Sequence, residues 1–294
     1  SVFKLAAALF GVGVPNRIGP LSKIHSYVFY NRGTRQRRSL VEMHEADYNL
    51  HLLRKLGIRV GSHQIPTQIA VSEERRKFAR DWLSDAGWNP SEGQRSRLVA
   101  VHPGMGGSAL NWPENYYVDL IRSLKREGHQ VLLTGGPAEG FLLERIVLEL
   151  NKTEDQILVY GSPATAAVDH LAALFAEADL VVAPSTGPLH IAVASGRPVV
   201  TFYPPIRVQS AIRWGPYIAD PEEAGILVPE VYCGEDFKCR GPKCNYYPCM
   251  KTISPREALG EVLRVLGRQT NRPKKPEGEE KDPKPTGPLS GATV

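Results

Sequence analysis

Short apolar runs alternate with amphipathic stretches over the second half of the chain. Each run is of strand length and ends near Gly or Pro, whereas the stretches between the runs repeat apolar residues at helical spacing. Strands joined by helical crossovers indicate an α/β fold with a parallel, doubly wound sheet. The five predicted strands are RLVAVHPG, HQVLLTGG, QILVYG, DLVVAPSTG and PVVTFYPP.

The first third of the chain is less regular. We expect SVFKLAAALF to be a helix end, followed by a turn and a strand in GVGVPNRIGP, so that the chain begins inside a domain. Helices are predicted for HEADYNLHLLRKLGI and SEERRKFARDWLSDAGW, and the polar, turn-rich NPSEGQRSR predicts a hinge. The segment after Gly267, rich in Pro, Lys and Glu, is predicted to be a disordered tail.

The net charge differs between the first 60 residues and the rest of the chain. Residues 1–60 hold ten Lys and Arg against three acidic residues, a net charge of +7, which leaves −2 of the formal total of +5 for the rest. A basic lobe suits an anionic partner such as a phosphate, a carboxylate, an acidic lipid or a nucleic acid, although a solvated charged face explains the charge equally well. No apolar run approaches the length of about 20 residues that a membrane span needs.

All four cysteines fall within one short stretch, at spacings C-x5-C-x4-C-x4-C. Zinc sites commonly pair cysteines as C-x2–4-C, a pattern that this stretch meets only approximately. A structural zinc and a set of free thiols are therefore both left open for Cys233, Cys239, Cys244 and Cys249.

Three loops follow predicted strands and should meet at the carboxyl edge of the sheet, where ligands of such folds bind. In HPGMGGSALNWP, the glycines allow a phosphate to approach backbone N–H groups, and a helix N-terminus adds positive partial charge. In APSTGPLH, the hydroxyls of Ser185 and Thr186 and the ring of His190 offer hydrogen bonds to a diphosphate. In TGGPAEG, Glu139 is placed to accept hydrogen bonds from ribose hydroxyls.

Each loop also has an ordinary structural interpretation. A glycine-rich loop is often only a tight turn, Ser185 could be only a helix N-cap, and Glu139 could be a first-turn residue stabilised by the helix dipole. A single His on a helix, such as His190, is more often structural than a ligand. Two phosphate-compatible loops at neighbouring strand ends nevertheless favour a nucleotide diphosphate.

The chain resembles a known family in an ordered set of segments. VAVHPGMGGSALNWPENYYVDLIRSLKREGHQVLLTGGPAE, FAEADLVVAPSTGPLHIAVASGRPVVTFYPP and RWGPY closely resemble the carboxyl-terminal domain of glycosyltransferase family 9, the ADP-heptose:lipopolysaccharide heptosyltransferases. GVPNRIGP and HEADYNLHLLRKLGI resemble the later part of that family's amino-terminal domain. The resemblance covers Val2 to Leu266.

The resemblance implies an α/β fold of GT-B type, with two Rossmann-like doubly wound domains of which the amino-terminal one is incomplete. Residues 1–92 are then a partial acceptor-side domain with the hinge, residues 93–268 the Rossmann-like domain that binds the nucleotide-sugar, and residues 269–294 the tail. A metal-independent, inverting glycosyltransferase without a cofactor is implied. It would move heptose from a nucleotide-sugar, ADP-heptose in this family, to an anionic lipid-linked acceptor of the lipopolysaccharide core.

The resemblance also implies a cytoplasmic protein, with peripheral contact at the inner face of the inner membrane. Transfer of another sugar to a different polysaccharide and a non-catalytic nucleotide-sugar-binding protein are the alternatives. A nucleic-acid binder would explain the basic lobe but not the glycine loops, and the sequence has no RNA- or DNA-binding motif.

The loops and the resemblance together predict the site residues. The family's usual Asp is Ser185 here and its common Lys before Trp-Pro is Asn111, so that two ionic contacts to the donor become neutral ones. The resemblance places the family's catalytic Asp in a segment upstream of Ser1, so that no catalytic residue is assigned and we expect this chain alone to turn over little or no sugar. Arginines of the basic lobe, Arg32, Arg35 and Arg38, are the predicted acceptor-binding residues. The predicted donor-binding residues are Gly104, Met105, Gly106, Gly107, Ser108, Asn111, Glu139, Ser185, Thr186, Gly187, Pro188 and His190.

Overall fold

The computed structural model describes residues 2–61, 66–88, 96–107, 109–151, 156–161, 168–233 and 238–269. Ser108, most of the predicted hinge and nearly all of the predicted tail lie outside these residues, so that the predicted domain limits stay predictions. In the described part of the chain, no helix combines the length and apolar character needed to cross a membrane.

The amino-terminal part contains a small two-stranded parallel sheet with helices around it. The predicted helix, turn and strand at the beginning of the chain are confirmed, because helix α1 is followed by β1. The elements are α1 (Val2–Gly11), β1 (Ile18–Pro20), α2 (Ile24–Phe29), β2 (Arg32–Thr34), α3 (Glu45–Leu50) and α4 (Glu73–Asp85).

One helix prediction in this part is wrong in its form. HEADYNLHLLRKLGI is not a single α-helix, because α3 continues as a 3-10 helix over His51–Leu56. This tighter second half packs against both strands of the small sheet. It ends at Gly57, whose φ of 80° is a left-handed conformation that glycine adopts without strain.

The second part is a six-stranded, fully parallel sheet in the order β5-β4-β3-β6-β7-β8. The five predicted strands and the helices between them are confirmed. The strands are β3 (Leu98–Val101), β4 (Gln130–Gly135), β5 (Leu158–Gly161), β6 (Leu180–Pro184), β7 (Val199–Phe202) and β8 (Ala224–Leu227). The helices are α5 (Glu114–Arg126), α6 (Gly140–Asn151), α7 (Val168–Glu177), α8 (Gly187–Ala194), α9 (Ala211–Trp214) and α10 (Pro255–Gln269).

The edge strand β8 was not predicted. Its sequence, AGIL, begins with two residue types that are rare in strands, and only its first two residues are buried. Gly225 packs tightly there, because an added Cβ would lie 3.0 Å from both Val200 and Glu261. Close packing against β7 and α10, rather than strand propensity, therefore selects this segment.

Alternating strand residues build one apolar core on each face of the sheet. In β3, Val99 and Val101 pack on the face covered by α5, α6 and α10, whereas Leu98 and Ala100 pack on the face covered by α4, α7 and α8. Helix α4 is held to this second face by an ion pair of 2.6 Å between Arg75 Nε and Asp169 Oδ2. The inner strands β3, β4, β6 and β7 are thus buried on both faces.

Candidate functional site

The order of the sheet reverses between β3 and β6, because the strands that follow β3 lie on one side and those that follow β6 on the other. The loops after these two strands therefore diverge and leave a crevice, the usual ligand position in a doubly wound sheet. The glycine-rich loop after β3 and the Ser-Thr-Gly loop after β6 border this crevice, as the sequence predicted.

The glycine-rich loop is tied to the neighbouring loop by buried polar groups. His102, at the end of β3, is 3% exposed and lies 3.0 Å through Nδ1 from the hydroxyl of Thr134. Its Nε2 lies 3.4 Å from Oε2 of Glu139. The backbone of Gly104 also lies against the side chain of Glu139, because a Cβ built on Gly104 would lie 1.9 Å from Oε1 of Glu139. A side chain at this position would therefore displace the carboxylate of Glu139 from its contacts with His102 and Gly136.

Glu139 is engaged within the protein. Its Oε2 accepts a hydrogen bond of 2.6 Å from the backbone N–H of Gly136, at the approach to α6. The hydrogen bond from His102, assisted by that from Gly136, lowers the pKa of this carboxyl below its usual value. Glu139 thus connects the first and second loops, and its predicted ribose contact stays a prediction.

Asn111 supports the glycine-rich loop from within. Its Nδ2 donates to the carbonyl of Pro103 at 2.8 Å, and its Oδ1 accepts from the N–H of Trp112 at 2.8 Å and from the hydroxyl of Tyr117 at 3.0 Å. Both polar atoms of the amide are therefore used by the protein. Asn111 therefore stabilises the glycine-rich loop through these hydrogen bonds. Its predicted contact with the donor stays a prediction.

The loop after β6 leads directly into α8. Thr186 is the N-cap residue, but its side chain makes no capping hydrogen bond, and Pro188 occupies the first turn. The hydroxyl of Ser185 hydrogen-bonds to the buried Tyr203, whose pKa is raised chiefly by burial. The α8 N-terminus thus offers backbone N–H groups and positive partial charge without a side-chain cap.

The loop after β6 and the start of α8 line a cavity of about 470 Å³ in the crevice. The structure brings four predicted donor-binding residues together there, and it adds an Arg, an indole and an amide that the sequence analysis missed. Among the described residues, the lining consists of Ala109, Ser185, Thr186, Gly187, His190, Val208, Gln209, Arg213 and Trp214. The predicted residues outside this lining are Gly104, Met105, Gly106, Gly107, Asn111, Glu139 and Pro188.

His190 faces this cavity in its neutral form near pH 7. Burial lowers the pKa of its imidazole below the ordinary 6.5, and repulsion between the protonated forms of His190 and His44 lowers it further. A neutral ring carries one N–H donor, which suits a hydrogen bond to a phosphate oxygen. A bound anion would in turn favour the protonated form.

The amino-terminal part is fastened to the segment that carries Arg213. His44 accepts a hydrogen bond of 3.0 Å at Nδ1 from the N–H of Ala46, so that its Nε2 donates to the carbonyl of Gly215 at 2.9 Å. Arg213 Nε donates to Oε2 of Glu45 at 2.9 Å. The start of α3 is therefore held beside the cavity by polar contacts with residues on either side of Trp214.

The predicted acceptor arginines are separated by the structure. Arg35 and Arg38 line a surface cavity of about 690 Å³ with Lys23 and Arg37, whereas Arg32 is not among its described lining residues. Arg38 forms an ion pair with Glu45 and is partly buried. The acceptor role of these side chains stays a prediction, and the basic cavity supplies its structural basis.

The four cysteines line one further cavity, of about 430 Å³, at the surface. Burial and the neighbouring thiols raise the pKa of Cys249, while Cys239 Sγ accepts a hydrogen bond of 3.2 Å from the N–H of Gly241. In the described part of the chain, no group of three or more His, Cys, Asp or Glu side chains is arranged to hold a metal ion. The structural zinc therefore stays a prediction.

A parallel sheet whose order reverses between two phosphate-compatible loops, with an amino-terminal part fastened beside them, defines an α/β protein of GT-B type. The model of one family, described as glycosyltransferase family 9 (heptosyltransferase), matches residues 2–243. The chain belongs to glycosyltransferase family 9.

Curated relatives and a solved structure agree with this assignment. A Haemophilus influenzae protein, provisionally named a glycosyltransferase, is 32% identical over 215 residues, which are 69% of this chain and 58% of that protein. Lipopolysaccharide heptosyltransferase 2 of Escherichia coli is 26% identical over 90% of this chain and 73% of its own length. The chain thus spans little more than half the length of the first of these relatives.

The structure of the E. coli ADP-heptose lipopolysaccharide heptosyltransferase II superposes with a TM-score of 0.68 at 22% identity. The match covers 91% of this chain and 75% of that one. At this level of identity the likeness establishes the fold, and the fold prediction is confirmed.

Proposed function

We propose that the protein transfers a heptose from a nucleoside diphosphate sugar to a saccharide acceptor of the lipopolysaccharide core. The single observation that carries the proposal is the cavity at the reversal of the sheet, where a free helix N-terminus, two hydroxyls and His190 converge. This set of neutral donors suits a diphosphate. Family membership and the names of the relatives support heptose as the sugar and ADP as its carrier.

The donor would lie across the crevice with its diphosphate at the start of α8. The hydroxyls of Ser185 and Thr186 and the N–H groups near Gly187 would bind its oxygens. These groups are fixed before the reaction, so that they would stabilise charge that develops on the departing nucleotide without reorganisation. The apolar side of the cavity, with Val208 and Trp214, would cover a base or sugar ring.

The proposed reaction is inverting and independent of a metal ion. Among the described residues that line the cavity, none is an Asp or Glu that would hold a divalent cation beside the diphosphate. Glu45, a carboxylate of the junction, bonds to a guanidinium through each of its oxygens and is poorly placed to accept a proton. We therefore assign no general base.

The acceptor is proposed to be anionic and to approach from the amino-terminal part. The basic cavity formed around Lys23, Arg35 and Arg37 would attract phosphate or carboxylate groups of such a saccharide. Because that saccharide is built on a lipid, the proposal includes peripheral contact with a membrane surface.

A second candidate function is non-catalytic binding of a nucleotide-sugar. The absence of Asp and Glu from the described lining of the cavity favours it, since binding needs no general base. Both functions predict a complex with the donor, and only the transferase predicts turnover.

Calorimetric titration with ADP-heptose, UDP-glucose and single-stranded RNA tests the proposal, followed by a transfer assay with a heptose-deficient lipopolysaccharide core. We expect ADP-heptose to bind most tightly and the RNA not to bind. Transfer of heptose would contradict the second candidate function. Failure of every nucleotide-sugar to bind would contradict both.

A further inference from the structure

The cavity at the start of α8 contains one formally charged side chain among its described lining residues, that of Arg213. The phosphate-compatible loops themselves offer only neutral donors there: two hydroxyls, backbone N–H groups and a neutral imidazole. A nucleoside diphosphate carries two or more negative charges near pH 7, and a largely desolvated anion needs a cationic partner. The geometry points to Arg213 as the residue that binds the diphosphate of the donor, an inference that rests on the proposed function.

The guanidinium of Arg213 is fixed before any ligand arrives. Its carbon lies 4.9 Å from the centroid of the Trp214 ring, and the indole Nε1 of Trp214 donates to the carbonyl of Val208 at 3.0 Å. The Arg213 side chain is 18% exposed. Stacking on an anchored ring lowers the conformational entropy that the side chain loses on binding.

Glu45 orients the same guanidinium from the other side. Nε of Arg213 donates to Glu45 at 2.9 Å, and none of the described residues accepts a hydrogen bond from its two terminal nitrogens. The N–H groups of these nitrogens form the planar fork that matches two oxygens of a phosphate. Glu45 is thus a positioning residue, and Arg213 contacts the ligand.

The local charge remains positive although Glu45 is close. Glu45 forms ion pairs with both Arg38 and Arg213, so that the three side chains together carry one excess positive charge. Arg38 is further occupied by hydrogen bonds to Gln36 and Asn49 outside the cavity. The excess charge is therefore available to the cavity through Arg213.

Arg213 would replace the ionic contacts to the donor that are lost because the family's Asp and Lys are Ser185 and Asn111 in this chain. Neither Ser185 nor Asn111 supplies a charge, and Asn111 stabilises the glycine-rich loop. Arg213 supplies the charge from α9, a short helix that follows β7 at the same edge of the sheet.

Calorimetric titration of the full chain with ADP, AMP and adenosine tests the inference. Arg213→Gln should weaken ADP binding about 10- to 100-fold, as expected for losing a charged hydrogen-bonding partner, with a smaller loss for AMP and none for adenosine. Arg213→Lys keeps the charge but not the fork, and should fall between wild type and Arg213→Gln. Arg126→Gln, an exposed arginine at the end of α5, is the matched control and should bind all three ligands as wild type does.

The outcomes separate this inference from the function on which it rests. Wild-type protein that binds neither ADP nor ADP-heptose would contradict both. Wild-type protein that binds ADP, with unchanged affinity in Arg213→Gln or an equal loss for ADP and adenosine, would overturn the role of Arg213 alone. Circular dichroism and thermal melting monitor folding, and Arg213→Lys provides the decisive comparison if Arg213→Gln does not fold.

Discussion

Tyr217 donates its hydroxyl hydrogen to Oδ1 of Asp47 at 2.6 Å, and both side chains are buried. The two residues lie 170 positions apart, so that this bond closes the junction between the amino-terminal part and the carboxyl-terminal sheet. With the contacts of His44 and Glu45, it holds the start of α3 next to the donor cavity.

We expect Tyr217→Phe to destabilise the protein by about 1–3 kcal/mol, because it leaves a buried carboxylate with one partner fewer. Urea denaturation at pH 7 measures the free energy of unfolding. Tyr232→Phe, at a residue that is 78% exposed, is the control and should change it little. An equal effect of both substitutions would contradict a special contribution of the bond to Asp47.

His190→Ala should weaken binding of ADP by about 1–3 kcal/mol, the loss expected for one hydrogen bond to a charged group. Adenosine, which has no phosphate, should bind almost as before. Calorimetry with both ligands measures the difference. A parallel loss for the two ligands, or a large fall in melting temperature, would show that the imidazole has only a structural role.

His190 should also make the protein less stable in mild acid. Its pKa is lowered on folding, so that below pH 6.5 the unfolded chain takes up a proton first and stability falls until the folded-state pKa is reached. We expect His190→Gln to lose less free energy of unfolding than wild type between pH 7.5 and pH 5.5. His51→Gln, on the 3-10 helix after α3, serves as the control and should follow wild type. Identical pH profiles for His190→Gln and wild type would refute the assigned shift.

Glu139 should also make the protein less stable in acid, at lower pH than His190. Its pKa is lowered on folding, so that its contribution is fully present above the ordinary value of 4.5 and is lost as the pH falls through the folded-state pKa. Glu139→Gln should therefore flatten the acid limb of the stability profile. Glu144→Gln, at an exposed position on α6, should not. Urea denaturation at pH 3.5 to 7 distinguishes the two variants.

Cys249 should be the slowest thiol to react with a disulfide reagent, because burial raises its pKa and a thiolate is the reacting form. Thiol titration of single Cys→Ser variants identifies each phase. Elemental analysis of protein purified without added metal accompanies the titration, before and after chelation. One zinc per chain, with thiols that react only after chelation, would establish the predicted zinc site. Fast reaction of Cys249 in protein without metal would contradict the raised pKa of its thiol.

The alternation of short apolar runs with amphipathic stretches was sufficient to predict the strands that are buried on both faces. β3, β4 and β6 read as continuous apolar runs because helices cover both sides of the sheet. β8 was missed because an edge strand of four residues carries too little of this signal. The 3-10 helix after α3 was missed because its form depends on packing against a sheet distant in sequence.

The candidate site was predicted only where a local motif marks it. Ser185, Thr186, Gly187 and His190 follow a strand directly, and the carboxyl ends of parallel strands meet at one edge. No local motif indicates that Arg213 lines the cavity, because Arg213 belongs to a short helix that follows β7. Its neighbourhood, RWGPY, was the available signal, because these residues were already part of the family resemblance.

The glycine-rich loop is closed on itself by the amide of Asn111 and bordered by the carboxylate of Glu139. These contacts fix the two ends of the loop, so that ordering of the ends would cost little free energy when a donor binds beside them. Ends that are held in this way would adapt less readily to a longer phosphate chain. The protein should therefore distinguish a nucleoside diphosphate from a triphosphate by shape as well as by charge.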